Sequence, residues 1–271
     1  MNRGKEENKE NKMKQYIQNF LKYRHLLIEL VKKDIKLKYR KSYLGILWTL
    51  IEPLMTMIVL TIVFGTLFGN KDKQFPVYVL TGRLLYSFFS TATKAAMKSI
   101  RANSGMIKKV YVPKYIYPLS STLSSYVTFL ISLIVLVGVA VVLKVPFTKY
   151  TLLAIVPLVI VLFMSYGVGM LLATMAVFFR DLEYLWNVVL MMVMYTSAIF
   201  YPVERLVKTG FSWILNINPL YSVIVNFRNC IIDGKPLDPT ALTISVGFTI
   251  VILIVGMVAF YKKQDKFILS I

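Results

Sequence analysis

The sequence predicts an all-α, polytopic membrane protein with six transmembrane helices, because long segments of it carry no charge. Four segments of at least 20 residues, and a fifth of 18, contain no Asp, Glu, Lys or Arg. A bilayer core takes about 20 apolar helical residues to cross, and a charged side chain at its centre costs about 2.5–3.5 kcal/mol. The composition agrees, with 57% hydrophobic and 17% charged residues. The charge-free segments are 53–70, 115–143, 150–179, 184–203 and 239–261.

The 271 residues leave room for six spans with short connections and for no sizeable soluble domain. We expect a polar, disordered N-terminus over 1–22, an amphipathic interface helix over 23–44, the six-span domain over 45–261 and a cytoplasmic tail over 262–271. Within span two, Arg83 interrupts the apolar pattern. The six predicted spans are 45–68, 75–93, 118–143, 150–179, 184–201 and 240–261.

The distribution of positive charge predicts the orientation. With both termini placed inside, 23 of the 32 Lys and Arg residues fall on the inner side and 9 fall elsewhere. Because such residues collect in cytoplasmic segments, we expect cytoplasmic termini in a bacterial inner membrane. The same asymmetry explains the net charge of +19 without a nucleic acid as partner.

Cysteine and histidine are too scarce for several kinds of site. Cys230 and His25 are each the single residue of their type. A disulfide framework, a Cys-based zinc cluster and a His-dependent metal or acid–base site are therefore not expected. The polar start of the chain also lacks the apolar run of a cleavable signal peptide.

Ahead of span one, an apolar stripe recurs every four residues. Its members are Tyr23, Leu27, Val31, Ile35 and Tyr39. The spacing predicts one apolar face of a helix, with basic residues on the other faces. Such a helix lies in the cytoplasmic membrane interface, near anionic lipid.

Glu52 is an ionisable residue inside span one. It follows Gly45 by seven residues, which places it about 10 Å into the membrane by helical rise. A charged group at this depth is a functional candidate by default. Two interpretations stay open: a functional carboxylate, or a side chain that turns inward or pairs with Arg180.

The inner segment 106–118 combines basic, aromatic and apolar residues. It contains three tyrosines and two prolines, and no Asp or Glu occurs in 94–117. A solvated loop does not need Ile107, Val110 and Ile116. We therefore expect this segment to dock, either onto the helix ends of the protein itself or onto a cytoplasmic partner.

Between spans five and six, the apolar and aromatic stretch 211–227 is broken at 216–219. Each half is too short to cross a bilayer, and non-helical backbone at membrane depth is tolerated where protein or water covers it. We expect a re-entrant helical pair on the outer side, with structural breaks at Pro202, Asn218 and Pro219. A partly ordered outer loop is the alternative.

Five motifs occur in order along the chain: the run 33–48 followed by Glu52-Pro53, then Lys108–Pro113, the inner turn Phe178–Asp181 with Arg180 and Asp181, Ile199–Pro202, and Asn218–Leu220. Together they resemble the ABC-2 type permeases that export polysaccharides such as O antigen, capsule and teichoic acid. The resemblance extends over essentially the whole chain after residue 25. At Arg83 the sequence departs from the family, which usually has an apolar residue there.

The resemblance implies a homodimeric channel whose interface helix and basic inner loop receive force from a separate nucleotide-binding ATPase subunit, present in two copies. The sequence contains no phosphate-binding loop of its own. This chain is therefore expected to be a transport subunit without bound cofactor, with ATP and Mg on the partner. The implied coupling residues are Asp34, Lys36, Lys38, Arg40, Lys108, Lys109, Val110, Tyr111 and Pro113.

The implied cargo is a lipid-linked glycan, and aromatic rings stack on the apolar faces of sugars. Aromatic side chains also gather at membrane interfaces for purely structural reasons. An ABC-2 exporter of drugs or small lipids is an alternative, and so is a membrane-bound glycosyl- or acyltransferase, although the sequence has no Asp-x-Asp pair or intramembrane histidine. The candidate lining residues are Tyr43, Trp48, Glu52, Tyr195, Phe200, Tyr201 and Trp213.

Overall fold

The computed structural model describes residues 22–68, 72–110, 112–201, 203 and 213–267, and these ranges are helical with no β-strand. Tyr111, Pro202 and most of the predicted disordered N-terminus lie outside the described residues. Within these ranges, ten helices, numbered α1 to α10, follow in chain order. They are 22–39, Trp48–Phe68, Phe75–Ala102, Ser104–Ile107, Ile116–Val142, Ile155–Phe178, Leu182–Thr196, Trp213–Ile217, Pro219–Ile231 and Pro239–Lys263.

Four helical segments are long and apolar enough to cross a membrane, and they confirm predicted spans one, three, four and six. Their bounds are Gly45–Leu67, Ile116–Val142, Lys149–Phe178 and Pro239–Lys266, short 3-10 turns included. Predicted spans two and five differ from the structure. Helix α3 continues to Ala102, nine residues past the predicted end, because Lys94, Lys98 and Arg101 end the apolar segment without ending the helix. Helix α7 ends at Thr196, five residues before the predicted end.

Helix α3 is the centre of the bundle, although it is the least apolar of the long helices. It packs along α5 and α6, and α2 lies against both α3 and α5. Val77, Leu80, Leu85 and Ile100 of α3 are fully buried. Arg83, which interrupts predicted span two, therefore lies on a helix whose other faces form the core.

Helices α6 and α10 cross at two glycines. A Cβ atom on Gly256 would lie 2.4 Å from the backbone oxygen of Gly167, and one on Gly167 would lie 2.9 Å from the nitrogen of Leu253. Small residues allow such close backbone approach between helices in membranes. This crossing fixes the last long helix against the bundle.

Helix α7 is peripheral, and Leu190 is its one buried residue. Side-chain hydrogen bonds tie it and the turn after it to α3. The Tyr86 hydroxyl donates to Leu190 O (3.0 Å), Trp186 Nε1 donates to Thr93 Oγ1 (3.1 Å), and the Tyr78 hydroxyl donates to Ala198 O (3.1 Å). Of the other large apolar side chains, Leu182, Trp186, Val193 and Met194 pack partly against the core, and the rest are exposed.

Candidate functional site

The predicted amphipathic helix is present as α1, and its apolar stripe docks onto the bundle. Leu27 and Leu30 are buried in one cluster with Ile107, Ile116 and Tyr117, which lie at the ends of α4 and α5. The helix ends at Tyr39, before the predicted end at 44, and an irregular segment leads to the 3-10 turn at Gly45. The stripe is therefore covered by protein in its first half.

The polar side of α1 faces the inner ends of α3 and α5. Lys33 Nζ donates a hydrogen bond to Asn103 Oδ1 (3.4 Å), just after α3. Burial raises the pKa of the half-buried Asp34 carboxyl, while Lys33 and Ser121 act in the opposite direction. Lys36, Lys38 and Arg40 are exposed.

The inner segment 106–118 divides into a docked part and an exposed part. Ile107, Ile116 and Tyr117 pack into the same cluster as α1, whereas Lys108, Lys109 and Val110 are exposed. Pro113 is half-buried, and Tyr111 lies outside the described residues. Lys114 Nζ donates to Gln264 O (2.7 Å) at the C-terminal end of α10, where a cation is favourable.

The inner turn between α6 and α7 exposes both of its predicted residues, Arg180 and Asp181. The neighbouring Glu183 instead forms an ion pair with Lys98 of α3. Among the described residues, Glu52 forms no ion pair with Arg180, because Arg180 lies in the exposed turn. That pairing, one of the two interpretations of Glu52, is therefore absent.

The exposed Glu52 instead lines an open cavity between α1, α2, α3 and α5, called the polar cavity here for its charged and hydroxyl residues. The cavity has a volume of about 100 Å³, and three charged residues line it: Lys38, Glu52 and Arg83. Threonine and serine side chains form much of the remaining wall. The structure thus brings the ionisable residue of span one together with the arginine that interrupts span two.

At Asn218 and Pro219, where the sequence predicts a structural break, one helix has ended and the next begins. Asn218 Oδ1 accepts from the backbone N–H groups of Leu220 (3.0 Å) and Tyr221 (3.4 Å), so Asn218 caps α9. Pro219 occupies the first helical position, where its missing N–H costs nothing. Helix α9 extends to Ile231, four residues beyond the predicted apolar stretch.

The amide of Asn218 also holds the end of α7. Its Nδ2 donates to Ser197 Oγ (2.9 Å), Thr196 Oγ1 (3.0 Å) and Val193 O (3.3 Å). One side chain therefore caps the helix that begins at Pro219 and joins it to the helix that ends at Thr196.

The aromatic candidates for a glycan path are found in different environments. Four of them are exposed. Tyr43 and Trp48 lie near the start of α2, Tyr195 lies near the end of α7, and Trp213 begins α8. Tyr201 is half-buried, and its hydroxyl donates to Tyr195 O (2.6 Å). Phe200 is buried and stacks on Phe64 at 5.2 Å between ring centroids, so its surroundings are those of a core residue.

Sequence reasoning missed Arg228, which is 5% exposed inside α9. Its guanidinium donates to Tyr78 O (3.0 Å), Ala198 O (3.0 Å) and Thr81 Oγ1 (3.4 Å), and it lies 3.4 Å from the centroid of the Tyr78 ring. The signal available in the sequence was a lone arginine in the otherwise uncharged stretch 209–232.

A row of hydroxyls on α5 was also missed. Ser121, Ser125, Thr128 and Ser132 recur at intervals of three or four residues within a predicted span, which places them on one helical face. Three of them line the polar cavity.

Known proteins resemble this chain along most of its length. Residues 25–232 match the family model described as ABC-2 type transporter. A protein of Klebsiella pneumoniae named O-antigen export system permease protein RfbA is 28% identical over 244 residues, which are 89% of this chain and 93% of that protein. A protein of the same name from Myxococcus xanthus is 25% identical, covering 94% and 98% of the two chains. The polysialic acid transport protein KpsM of Escherichia coli is 24% identical, covering 88% and 93%.

Proposed function

The chain belongs to the ABC-2 type transporter family, and we propose that it is the permease subunit of an ATP-driven exporter of a lipid-linked polysaccharide. The observation that carries this proposal is the continuous similarity to O-antigen and polysialic acid export permeases over 88–94% of the chain. The cargo is a bacterial surface glycan, such as O antigen, capsule or teichoic acid, that crosses from the cytoplasmic side.

The surface that would receive force from the ATPase consists of the polar face of α1 and the exposed segment Lys108–Val110. Two contacts support the idea that these parts move together: the shared apolar cluster of Leu27, Leu30 and Ile107, and the hydrogen bond between Lys33 and Asn103. ATP and Mg bind on the partner subunit, in two copies for each pair of permease chains. Asp34, Lys36, Lys38, Arg40, Tyr111 and Pro113 complete this coupling surface.

The proposed topology has six crossings, and both termini lie in the cytoplasm. Helix α3 has 28 residues and a length of about 42 Å, which is sufficient for a fifth crossing beside the four apolar spans. Helix α7 has 15 residues and a length of about 22 Å, so the irregular segment 197–201 completes the sixth crossing. Helices α8 and α9, separated at Asn218, form the outer re-entrant pair.

A second copy of the chain covers the outward faces of α2 and α7 in this proposal. Both helices expose large apolar side chains, and α7 has a single buried residue. Continuous apolar faces of this kind are typical of interfaces with protein or lipid. The aromatic residues Tyr43, Trp48, Tyr195 and Trp213 lie near the two ends of these helices and would line the path between the copies.

The test is deletion of the gene in the organism that carries it. The expected result is that the lipid-linked glycan accumulates on the cytoplasmic side and disappears from the surface, and that the wild-type gene restores export. A strain in which the partner ATPase cannot hydrolyse ATP is the matched control and should show the same trapping. Normal surface glycan in the deletion strain would contradict the proposal.

A further inference from the structure

Arg83, the arginine that interrupts predicted span two, is partly buried and lines the polar cavity. Within the part of the chain that the structure describes, Arg83 forms no hydrogen bond or ion pair, and its one aromatic contact is the Tyr86 ring at 5.8 Å. Glu52 lines the same cavity without pairing with it. Ionisable residues at membrane depth are normally paired or serve a pathway, so an unpaired guanidinium and carboxylate on one cavity indicate a polar ligand.

The hydroxyls of the cavity wall restrict which ligand fits. Five of them already donate their hydrogen to a backbone carbonyl at distances of 2.7–2.9 Å, so their oxygens face the cavity as acceptors. Glu52 adds a carboxylate acceptor, whereas Arg83 and Lys38 supply donors. The five hydroxyls are those of Thr49, Thr56, Ser125, Thr128 and Ser132.

A phosphate diester has acceptors alone: Lys38 and Arg83 would attract it, but Glu52 would repel it and the five hydroxyls have already donated their hydrogens. A neutral sugar has hydroxyls that both donate and accept. Its C–H faces also pack against apolar rings, and Tyr39, Phe88 and Phe129 are present in the wall. The combination of acceptors, two donors and rings therefore matches a neutral polyol better than a phosphate.

We propose that this cavity binds one neutral pyranose unit of the exported polymer, with Arg83 donating to and Glu52 accepting from the sugar hydroxyls. The inference rests on the proposed function and names the part of the substrate that the site recognises.

The position of the cavity relates it to the coupling surface. A second cavity of about 280 Å³ shares Lys38, Thr91, Ser125 and Thr128 with it and extends along α1 to Asp34 and Lys98. Helix α1 thus supplies part of the wall of both cavities. A displacement of α1 by the ATPase would change the shape of the sugar site directly.

The experiment is saturation-transfer NMR on the full chain in nanodiscs of phosphatidylcholine. The probes are methyl glycosides of glucose, galactose, mannose, rhamnose, N-acetylglucosamine and N-acetylgalactosamine, and the ³¹P line of inorganic pyrophosphate is recorded in parallel. The variants are Arg83→Leu and the nearly isosteric Glu52→Gln. Lys149→Leu, which removes an exposed cation before α6, is the control.

The expected result is transfer to the ring protons of at least one glycoside in the wild type and in Lys149→Leu. Binding should weaken about tenfold or more in Arg83→Leu and Glu52→Gln, because each loses a charge-assisted hydrogen bond. Glu52→Gln keeps the test valid if Arg83→Leu fails to fold. Absence of transfer for every glycoside, equal transfer in all variants, or pyrophosphate broadening that requires Arg83 would overturn the proposal.

Failure of this site and failure of the proposed function give different results. The NMR experiment measures binding without the ATPase and without transport. A negative binding result combined with trapped glycan in the deletion strain would contradict the sugar site and leave the proposed function standing. Normal export in the deletion strain would contradict the proposed function, whatever the NMR experiment shows.

Discussion

The Arg228 guanidinium joins α9 to two segments that are far away in the sequence. It donates to Tyr78 O and Thr81 Oγ1 on α3 and to Ala198 O in the turn after α7. Ala198 has φ of 46°, in the left-handed region that non-glycine residues rarely adopt. The buried cation is thus stabilised by carbonyl dipoles and an aromatic face, and it holds a strained turn in place.

Arg228→Met is expected to lower the free energy of unfolding by about 2 kcal/mol, because it removes the hydrogen bonds of a charged donor, while Tyr78 O and Ala198 O each keep a second donor in the Thr81 and Tyr78 hydroxyls. Arg228→Lys should be nearly as harmful, since one ammonium group cannot reach all three acceptors. Thermal unfolding of the detergent-purified protein measures both. Wild-type stability in Arg228→Met would mean that the network contributes nothing.

Gly82 offers a second test of the same contact. A Cβ atom there would lie 2.7 Å from Arg228 Nη2. Gly82→Ala should therefore destabilise the wild type and be much less harmful in the Arg228→Met background, which gives a coupling energy in a double-mutant cycle. If the destabilisation by the two substitutions were additive, the methyl group at position 82 would not be in contact with the Arg228 guanidinium.

Asn218 has two separable roles, because its oxygen caps α9 and its nitrogen binds the end of α7. Asn218→Asp keeps the capping oxygen and loses the donors, whereas Asn218→Leu loses both. The cap alone contributes about 1 kcal/mol, so we expect Asn218→Leu to be the less stable variant and both to export poorly. Melting temperature and surface glycan are the measurements, and wild-type export by Asn218→Leu would contradict the role of the break.

At the scale of elements, the crossing of α6 and α10 depends on glycine. Gly256→Ala places a methyl group 2.4 Å from Gly167 O and forces the two helices apart, at a cost of about 1–3 kcal/mol. Gly247→Ala in the same helix is the matched control, because no atom lies within 4 Å of the place that its methyl group would take. Thermal unfolding should separate the two variants, and an equal melting temperature would contradict the close crossing.

The coupling surface combines α1 with the exposed part of the inner segment. Reversal of two charges in Lys108→Glu with Lys109→Glu is expected to leave insertion intact, since both side chains are exposed, and to uncouple ATP hydrolysis from export. Surface glycan and ATPase activity of the purified complex are the measurements. The control is Lys149→Glu on the outer side, and wild-type export by the double variant would show that the ATPase binds elsewhere.

At the scale of the whole molecule, the docked α1 and the basic segment 106–118 share one face of the bundle. The C-terminal segment joins it, because Phe267 is fully buried against Phe260 at 5.2 Å between ring centroids. The predicted tail over 262–271 is therefore packed at its start. One end of the bundle gathers α1, the inner segment and the end of α10.

Cysteine labelling in intact cells tests the orientation of this bundle. In a Cys230→Ser background, Lys149→Cys and Lys235→Cys should react with a membrane-impermeant thiol reagent. Lys41→Cys and Lys263→Cys should react after permeabilisation and not before. All four positions are exposed in the structure, so labelling depends on the side of the membrane. Labelling of Lys41→Cys from outside would reverse the topology.

Local features of the sequence were sufficient to predict four spans, the amphipathic helix and the break at Asn218. Charge-free length, four-residue spacing and the missing N–H of Pro219 act within one segment, so they are visible without knowledge of the fold. The coupling residues, in contrast, are implied by the resemblance to the ABC-2 permeases, and their role stays a prediction.

The sequence by itself determined that the chain contains several apolar spans, how positive charge is distributed among the segments between them and where the apolar stretch between α7 and α10 is broken, because these depend on neighbouring residues. Tertiary structure decided which distant residues meet. It placed Glu52 beside Arg83 instead of Arg180, buried Phe200 against Phe64 and satisfied Arg228 with carbonyls of α3 and the turn after α7. The physical reason is that a buried charge takes whatever partner the helix packing brings within hydrogen-bond distance, and that packing is set by side chains more than 100 residues apart, as with Arg228 and Tyr78.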